Sequence, residues 1–405
     1  MAGRATHAIL LVLAVAGLGT WTYQVVNGLG VTAMSNIVSW GLYITAFVFL
    51  VGLSAGGLIV SSSATVFNLK PFKAVAKPAV LLSAVCIILA VLFIFVDLGR
   101  PERFLNLILS PRVNSPLIWD VVVIAAYLII SLLYLYYLDK PDTKESTRHT
   151  FSAIALPTAV LVHSITAWIF GLQIARPVWH TALLAPLFVI SALDSGLAML
   201  LLVLMGLERL GYMKLEKSLL ATLAGLLAVL VMVDVFFVFS EILTALYPAE
   251  ERMMAYIDLL LDGSLAPFFW GEIILGVVIP FVLLVVRARR ESKTVVGIAS
   301  ACVVVGVFFK RVWLLFSAYL LPLINNPPGI TLGKYQVPAT ETWGSVNIWA
   351  TAGSYTPTLV EWLIFVGIFA FGALLYTWGA RYLLAAGRKR EVETDGTAAA
   401  GTVQV

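Results

Sequence analysis

The chain has 405 residues, 61% of them hydrophobic and only 12% charged, with a mean hydropathy of +0.99. This is the composition of an integral membrane protein and not of a soluble globular one. The formal net charge of +4 is accounted for by topology, as the distribution of Lys and Arg shows, and gives no sign of a nucleic-acid partner.

A helix crossing roughly 30 Å of hydrocarbon needs about 20 apolar residues. Runs of that kind recur near 6–26, 37–66, 74–96, 116–138, 150–171, 181–206, 218–240, 267–288, 294–320 and 359–385. They predict an all-α membrane protein of ten helices, a single transmembrane domain over 1–385 followed by a polar tail over 386–405. The first run is long and "TYQVVNGLG" after it has no convincing small-x-small site, so it is expected to stay as a helix and not to be cleaved as a signal peptide. Taking alternate connections as one side gathers Arg4, Lys70, Lys73, Lys77, Lys140, Lys144, Arg148, the 209–217 and 287–293 clusters and Arg388–Arg390 together. By the positive-inside rule that side, with both termini, is cytoplasmic. The opposite connections, 97–120, 246–267 and 321–357, are the long ones. The last is rich in Gly, Pro, Asn, Trp and Tyr, which suits an ordered docking surface better than a disordered linker.

Cys86 and Cys302 are the only cysteines, so the chain cannot supply four thiolates to an iron–sulfur cluster. Of His7, His149, His163 and His180 only His163 lies well within a span, which argues against a haem held by two facing histidines. Any metal in electron transfer belongs to a partner.

"LAVLFIFVD" (89–97) in the third helix resembles "LAVLVMVD" (227–234) in the seventh, and "VGLSAGGLIV" (51–60) in the second is echoed by "VISALDSGLAML" (189–200) in the sixth. These matches suggest two four-helix units, 37–171 and 181–320, in a parallel repeat with the first and tenth helices flanking them. His163 in the fifth helix then corresponds to Lys310 in the ninth. Ionisable residues inside a span are expensive and mark function unless they are paired. His163 and Asp194, on successive helices, read as a functional pair. Asp234 and Glu241, seven residues apart, share one helical face, and with Glu272, Lys310 and Arg311 they form either a proton or ion path or a buried ion-pair network that fixes packing. Quinol oxidation would use such groups: it releases two protons with two electrons, so its site needs an acceptor near neutral pH, which imidazole supplies, a carboxylate, an apolar cleft and an external electron acceptor.

"DLGRPERFLNLIL" with "NSPLIWD" after the third helix, and "HSITAWIFGLQIARPVWHTALLAPLFVISALDSGLA" across the fifth and sixth, resemble the NrfD/PsrC family in its longer, ten-helix branch. The resemblance implies a quinone or quinol (menaquinone or ubiquinone) site near the outer face, with no haem or cluster in this chain. It implies an extracytoplasmic four-cluster [4Fe–4S] ferredoxin-like partner and a molybdopterin or other catalytic subunit, in the cytoplasmic membrane of a bacterium or archaeon. It gives His163 and Asp194 as quinol ligands or proton carriers. The Asp97–Arg100 turn would shape the outer loop at the quinone and the iron–sulfur partner, or simply pair internally; Arg176 would hydrogen-bond a quinone carbonyl, or only end the helix before Pro177. Redox-driven proton translocation through Asp194, Asp234, Glu241, Glu272 and Lys310 is a variant of this expectation. A secondary transporter and a passive membrane anchor are the alternatives.

Overall fold

The computed structural model describes residues 2–68, 70–321, 331–332, 335–336 and 353–401. Among the described residues ten helices are long and apolar enough to cross a membrane: α1 Ala2–Asn27, α2 Leu42–Val66, α3 Ala76–Asp97, α4 Pro116–Asp139 and α5 Glu145–Gly171. They continue as α6 Leu184–Arg209, α7 Lys217–Leu246, α8 Ala266–Leu284, α9 Lys293–Leu320 and α10 Leu359–Gly401. The protein is an all-α, multi-pass integral membrane protein. Most of the expected docking connection, 321–357, lies outside the described residues, as do residues 402–405 of the expected tail; α10 runs through the rest of that tail to Gly401.

Helix limits follow local chemistry. The second helix begins at Leu42 and not near 37, because Ser35–Val38 forms a turn closed by Ser35 N to Val38 O at 3.0 Å and Val38 N to Ser35 Oγ at 3.1 Å. Gly99, at φ +62°, ends α3 in the left-handed region that only glycine enters freely, and Pro101 opens a following 3₁₀ turn. Pro116 occupies the first turn of α4, where its missing N–H costs nothing. Within α8, Glu272–Val278 winds as a π-helix, a rare local expansion that tends to accompany function.

Helix α2 lies at the centre, with 94% of its apolar window buried, whereas only 11% of that of α1 is. Helix α2 closes a ring with α3, α4 and α5, each packed on the next, and α6, α7, α8 and α9 pack in another. The two rings meet where α2 touches α6 and α9 and where α5 touches α6. Helix α1 packs on α10, and α10 on α3, so both terminal helices lie against the first ring.

Close backbone approach, the main route to helix association in lipid, is visible at three glycine pairs. A Cβ at Gly56 would lie 2.5 Å from Gly196 Cα, one at Gly306 would overlap Gly276, and one at Gly17 would lie 2.6 Å from Gly367 Cα. The first of these joins the two rings through the very stretches whose sequences resemble one another. The connections 98–115, 172–183 and 247–265 share one end of the molecule, the long-loop end. There the amphipathic helix Glu251–Leu261 buries Tyr256, Ile257 and Leu260 over α7, α8 and α9.

Candidate functional site

At the long-loop end of the first ring a cavity of about 620 Å³ opens between α2, α3, α4 and α5. Its walls are mostly apolar: Trp40 just before α2, Ile44 and Phe47 on α2, Ile94 on α3, Ile118 on α4 and Phe170 on α5. Two carboxylates, Asp97 and Asp120, interrupt them, and Arg100, Arg103 and Arg112 stand in the 98–115 connection beside the short helix Phe104–Leu109. Asp120 is 3% exposed and accepts a hydrogen bond from Thr166 Oγ1 at 2.7 Å. Asp97 is half-buried, and its Oδ1 is closed off from solvent with no hydrogen-bond partner, an acceptor left unmet at the cavity wall.

An aromatic cluster backs the cavity. Trp40 meets Phe170 edge-on at 5.5 Å and stacks on Trp179 at 6.2 Å, and Trp179 in turn meets Tyr319 at 5.3 Å. Trp179 Nε1 donates to Leu314 O at 2.7 Å, which ties the 172–183 connection to α9. Arg176 is spent on the same junction: its Nη1 donates to Ala318 O and its guanidinium lies 4.8 Å over the Tyr319 ring. Burial draws Arg176 below the ordinary arginine range; Tyr319 opposes this and Arg252 adds to it. Asp97 and Arg100 therefore line the cavity, and Arg176 lies behind it.

His163 lies on α5 two turns before Phe170, about 10 Å deeper along the helix. It is 2% exposed; Nδ1 is 3.3 Å from Ala159 O, and Nε2 has no partner. Among the described residues no hydrogen bond or ion pair joins it to Asp194, whose Oδ1 accepts from Ser195 N at 2.5 Å.

The second ring holds a cluster of charge. Lys310 Nζ sits 2.6 Å from Asp234 Oδ2 and 3.1 Å from Glu272 Oε1, with all three side chains at most 4% exposed. Trp313, one turn on from Lys310, donates Nε1 to Glu272 Oε2 at 2.5 Å, so α9 grips the π-helical turn of α8 at both carboxylate oxygens. Arg311 faces elsewhere: consecutive helical residues diverge by about 100°. Its Nη2 donates to Ser191 Oγ at 2.8 Å, its guanidinium lies 4.4 Å over Phe188, and Nε and Nη1 have no partner. A Cβ on Gly52 of α2 would stand 3.7 Å from that guanidinium, so Arg311 occupies the seam between the rings. Glu241 is 8% exposed with Oε2 unpartnered. Tyr256 covers the cluster from the long-loop end, where burial, then Glu241 and Glu272, push its phenol well above its ordinary range.

Thus the structure brings Asp234, Glu272 and Lys310 into contact, keeps Asp97 and Arg100 together at the cavity, and among the described residues joins His163 to neither centre by a hydrogen bond or ion pair. Asp120, Trp40, Trp313 and Glu361 are additions that sequence reasoning passed over. Asp120 had a signal, a carboxylate five residues into an apolar run; so did Glu361, three residues into the last one. No group of three His, Cys, Asp or Glu side chains among the described residues is arranged to hold a metal ion.

The family model described as "Polysulphide reductase, NrfD" matches residues 30–322. A putative dimethyl sulfoxide reductase membrane subunit of Halobacterium salinarum is 36% identical over 94% of this chain and 91% of its own length. The Hdr-like menaquinol oxidoreductase integral membrane subunit of Archaeoglobus fulgidus is 29% identical over 92% and 91%. A polysulfide reductase polypeptide of Wolinella succinogenes is 24% identical over 70% of this chain and 95% of its own.

Proposed function

This chain belongs to the NrfD polysulphide reductase family, and from that premise we propose that it is the quinone-interacting membrane subunit of a respiratory oxidoreductase complex. It exchanges electrons between a menaquinone or ubiquinone pool and an iron–sulfur subunit docked at the long-loop end. The names of the relatives, among them a reductase membrane subunit and a menaquinol oxidoreductase membrane subunit, support the class. The observation that carries the reading is the 620 Å³ cavity, apolar and aromatic in its walls yet lined by one buried carboxylate, Asp120, and one half-buried, Asp97. Its size and lining suit a ring of quinone dimensions.

Quinol loses two electrons and two protons in becoming quinone. Asp97, with an unpartnered oxygen, and Asp120, oriented by Thr166, are placed to accept hydroxyl hydrogen bonds and take those protons. Trp40 and Phe170 supply faces for the ring and keep bulk water from it, and Arg100 can meet a carbonyl oxygen. His163, two turns deeper, is the next proton acceptor, and Asp194 follows across the seam. In the second ring four carboxylates, Asp194, Asp234, Glu241 and Glu272, stand against two cations, Lys310 and Arg311. A buried ion-pair network built for packing alone needs no such excess of acid, and the excess supports proton relay through this cluster. The electrons go to a four-cluster [4Fe–4S] ferredoxin-like subunit and on to a molybdopterin or other catalytic subunit. The chain lies in a bacterial or archaeal cytoplasmic membrane with both termini inside, which a carboxy-terminal green fluorescent or alkaline phosphatase fusion reports.

The test is oxidation of a reduced naphthoquinone by the purified native complex, with Asp120→Asn and His163→Ala compared with wild type at equal iron–sulfur content. Loss of turnover in both is expected. Wild-type turnover in both removes the cavity and its proton route from the reaction and favours a transporter or an anchor. In liposomes, Asp194→Asn is expected to retain turnover while lowering the number of protons moved per electron.

A further inference from the structure

The matched family region ends at residue 322, yet the segment entering α10 reaches back to the connection before α2. The start of α2 has a gap that the segment fills. Gly41 precedes the helix and has no side chain with which to satisfy a free N–H, a need that every helix start has. The hydroxyl of Tyr355 does so from far along the chain, accepting from Leu42 N at 2.7 Å. The ring fits because residue 41 is glycine: a Cβ there would overlap the Tyr355 hydroxyl. Phe316 of α9 stacks on the ring at 4.8 Å.

The same hydroxyl donates to Glu361 Oε1 at 2.5 Å. Glu361, 0% exposed, also takes Ala33 N at 2.9 Å and Thr358 N at 2.8 Å on Oε2. Thr358 Oγ1 donates to Val31 O at 3.2 Å. The connection between α1 and α2 is therefore held at Val31, Ala33 and Leu42 by one short segment, 355–361. Between the last two of these points lies Trp40, a wall of the cavity and the partner of Phe170 and Trp179.

We propose that Tyr355 and Glu361 are positioning residues for the quinol site: together they strap the 31–42 stretch and set the place of Trp40 against Phe170. The proposal rests on the reading of the cavity as the quinol site. Neither residue is among those lining the cavity, so their effect on the reaction passes through the wall they hold. Quinol affinity in this chain thus depends on a segment outside the family's matched region.

The test uses the native complex with reduced 2,3-dimethyl-1,4-naphthoquinone. Tyr355→Phe keeps the ring on Phe316 and removes only the hydroxyl that links Leu42 to Glu361; the expected result is a KM raised about tenfold with kcat within about twofold of wild type, the scale of losing one buried hydrogen bond and leaving its partner unmet. Glu361→Gln should do the same, and the double variant should add little to the larger single effect, because the two act in series. Gly41→Ala, which displaces the ring from the other side, should reproduce the rise. Tyr376→Phe, also on α10 with its hydroxyl 3.4 Å from Pro78 O, should leave both constants unchanged. Wild-type KM in Tyr355→Phe and Glu361→Gln, or a fall in kcat and assembly together at constant KM, overturns the proposal. Two cavity variants, Phe170→Ala and Asp120→Asn, separate the levels: if they alter turnover while the strap variants do not, only the strap is lost; if they too are silent, the cavity reading fails first.

Discussion

The two rings of helices use polar side chains in opposite ways. In the first, α2, α3 and α4 are joined by neutral hydroxyls: Ser54 Oγ donates to Ser83 O at 2.7 Å and lies 2.9 Å from Tyr127 Oη, and Thr65 meets Tyr134 at 2.9 Å. In the second, α7, α8 and α9 are joined by Lys310 with Asp234 and Glu272. A hydroxyl network satisfies itself and leaves the lipid-embedded interior uncharged, so the first ring can open a ligand cavity at its end. A charged network gains its stability from each partner's presence, and under the proposed function the second ring's surplus carboxylates are the proton relay.

Breaking that contrast at the charged side should cost most. Lys310→Met leaves Asp234 and Glu272 facing each other without a cation, and a loss of about 3–5 kcal/mol is expected, read as reduced thermal stability and yield of the purified complex; adding Asp234→Asn should recover part of it. The seam comes next. Gly56→Leu drives a side chain into Ala192 O and Gly196 Cα, and overpacking of this kind costs about 1–3 kcal/mol, with quinol turnover falling together with thermal stability because both rings shift. At the cavity, Asp120→Asn should lower quinol turnover at least about tenfold, or about 1.4 kcal/mol of transition-state stabilisation, with an unchanged unfolding midpoint. The smallest effect is expected on the neutral side, where Tyr127→Phe removes one member of a hydroxyl network at about 0.6 kcal/mol and leaves turnover intact. If Tyr127→Phe proved as damaging as Lys310→Met, the contrast between the rings would collapse.

Hydropathy was enough to locate the ten candidate spans among the described residues, since spanning length and apolar composition are properties of contiguous sequence. What it missed depends on contacts distant in the chain. The expected start of the second helix ran into the Ser35–Val38 turn because apolar residues continue through it, and the true start is marked by a tyrosine more than 300 positions away. The π-helical turn of α8 has no hydropathy signature, though Glu272 within it was legible as an intramembrane acid. His163, Asp194, Asp234 and Lys310 stood out by the same rule, but the rule does not say which of them touch: Lys310 pairs with Asp234 and Glu272, while His163 and Asp194 do not pair with each other. The cavity was least legible of all, because its wall gathers a few residues each from four helices and two connections.

Lys310 and Arg311 are neighbours on one helix, yet one is bound into the second ring and the other into the seam with α6. A rigid rod with two bolts set at an angle cannot be turned to loosen one without straining or easing the other. Any change of proton occupancy at Asp234 or Glu272 that lets α9 rotate therefore moves the guanidinium beside Ser191 and Gly52. The Lys310 ion pairs and the Arg311 seam contact then share a single mechanical degree of freedom.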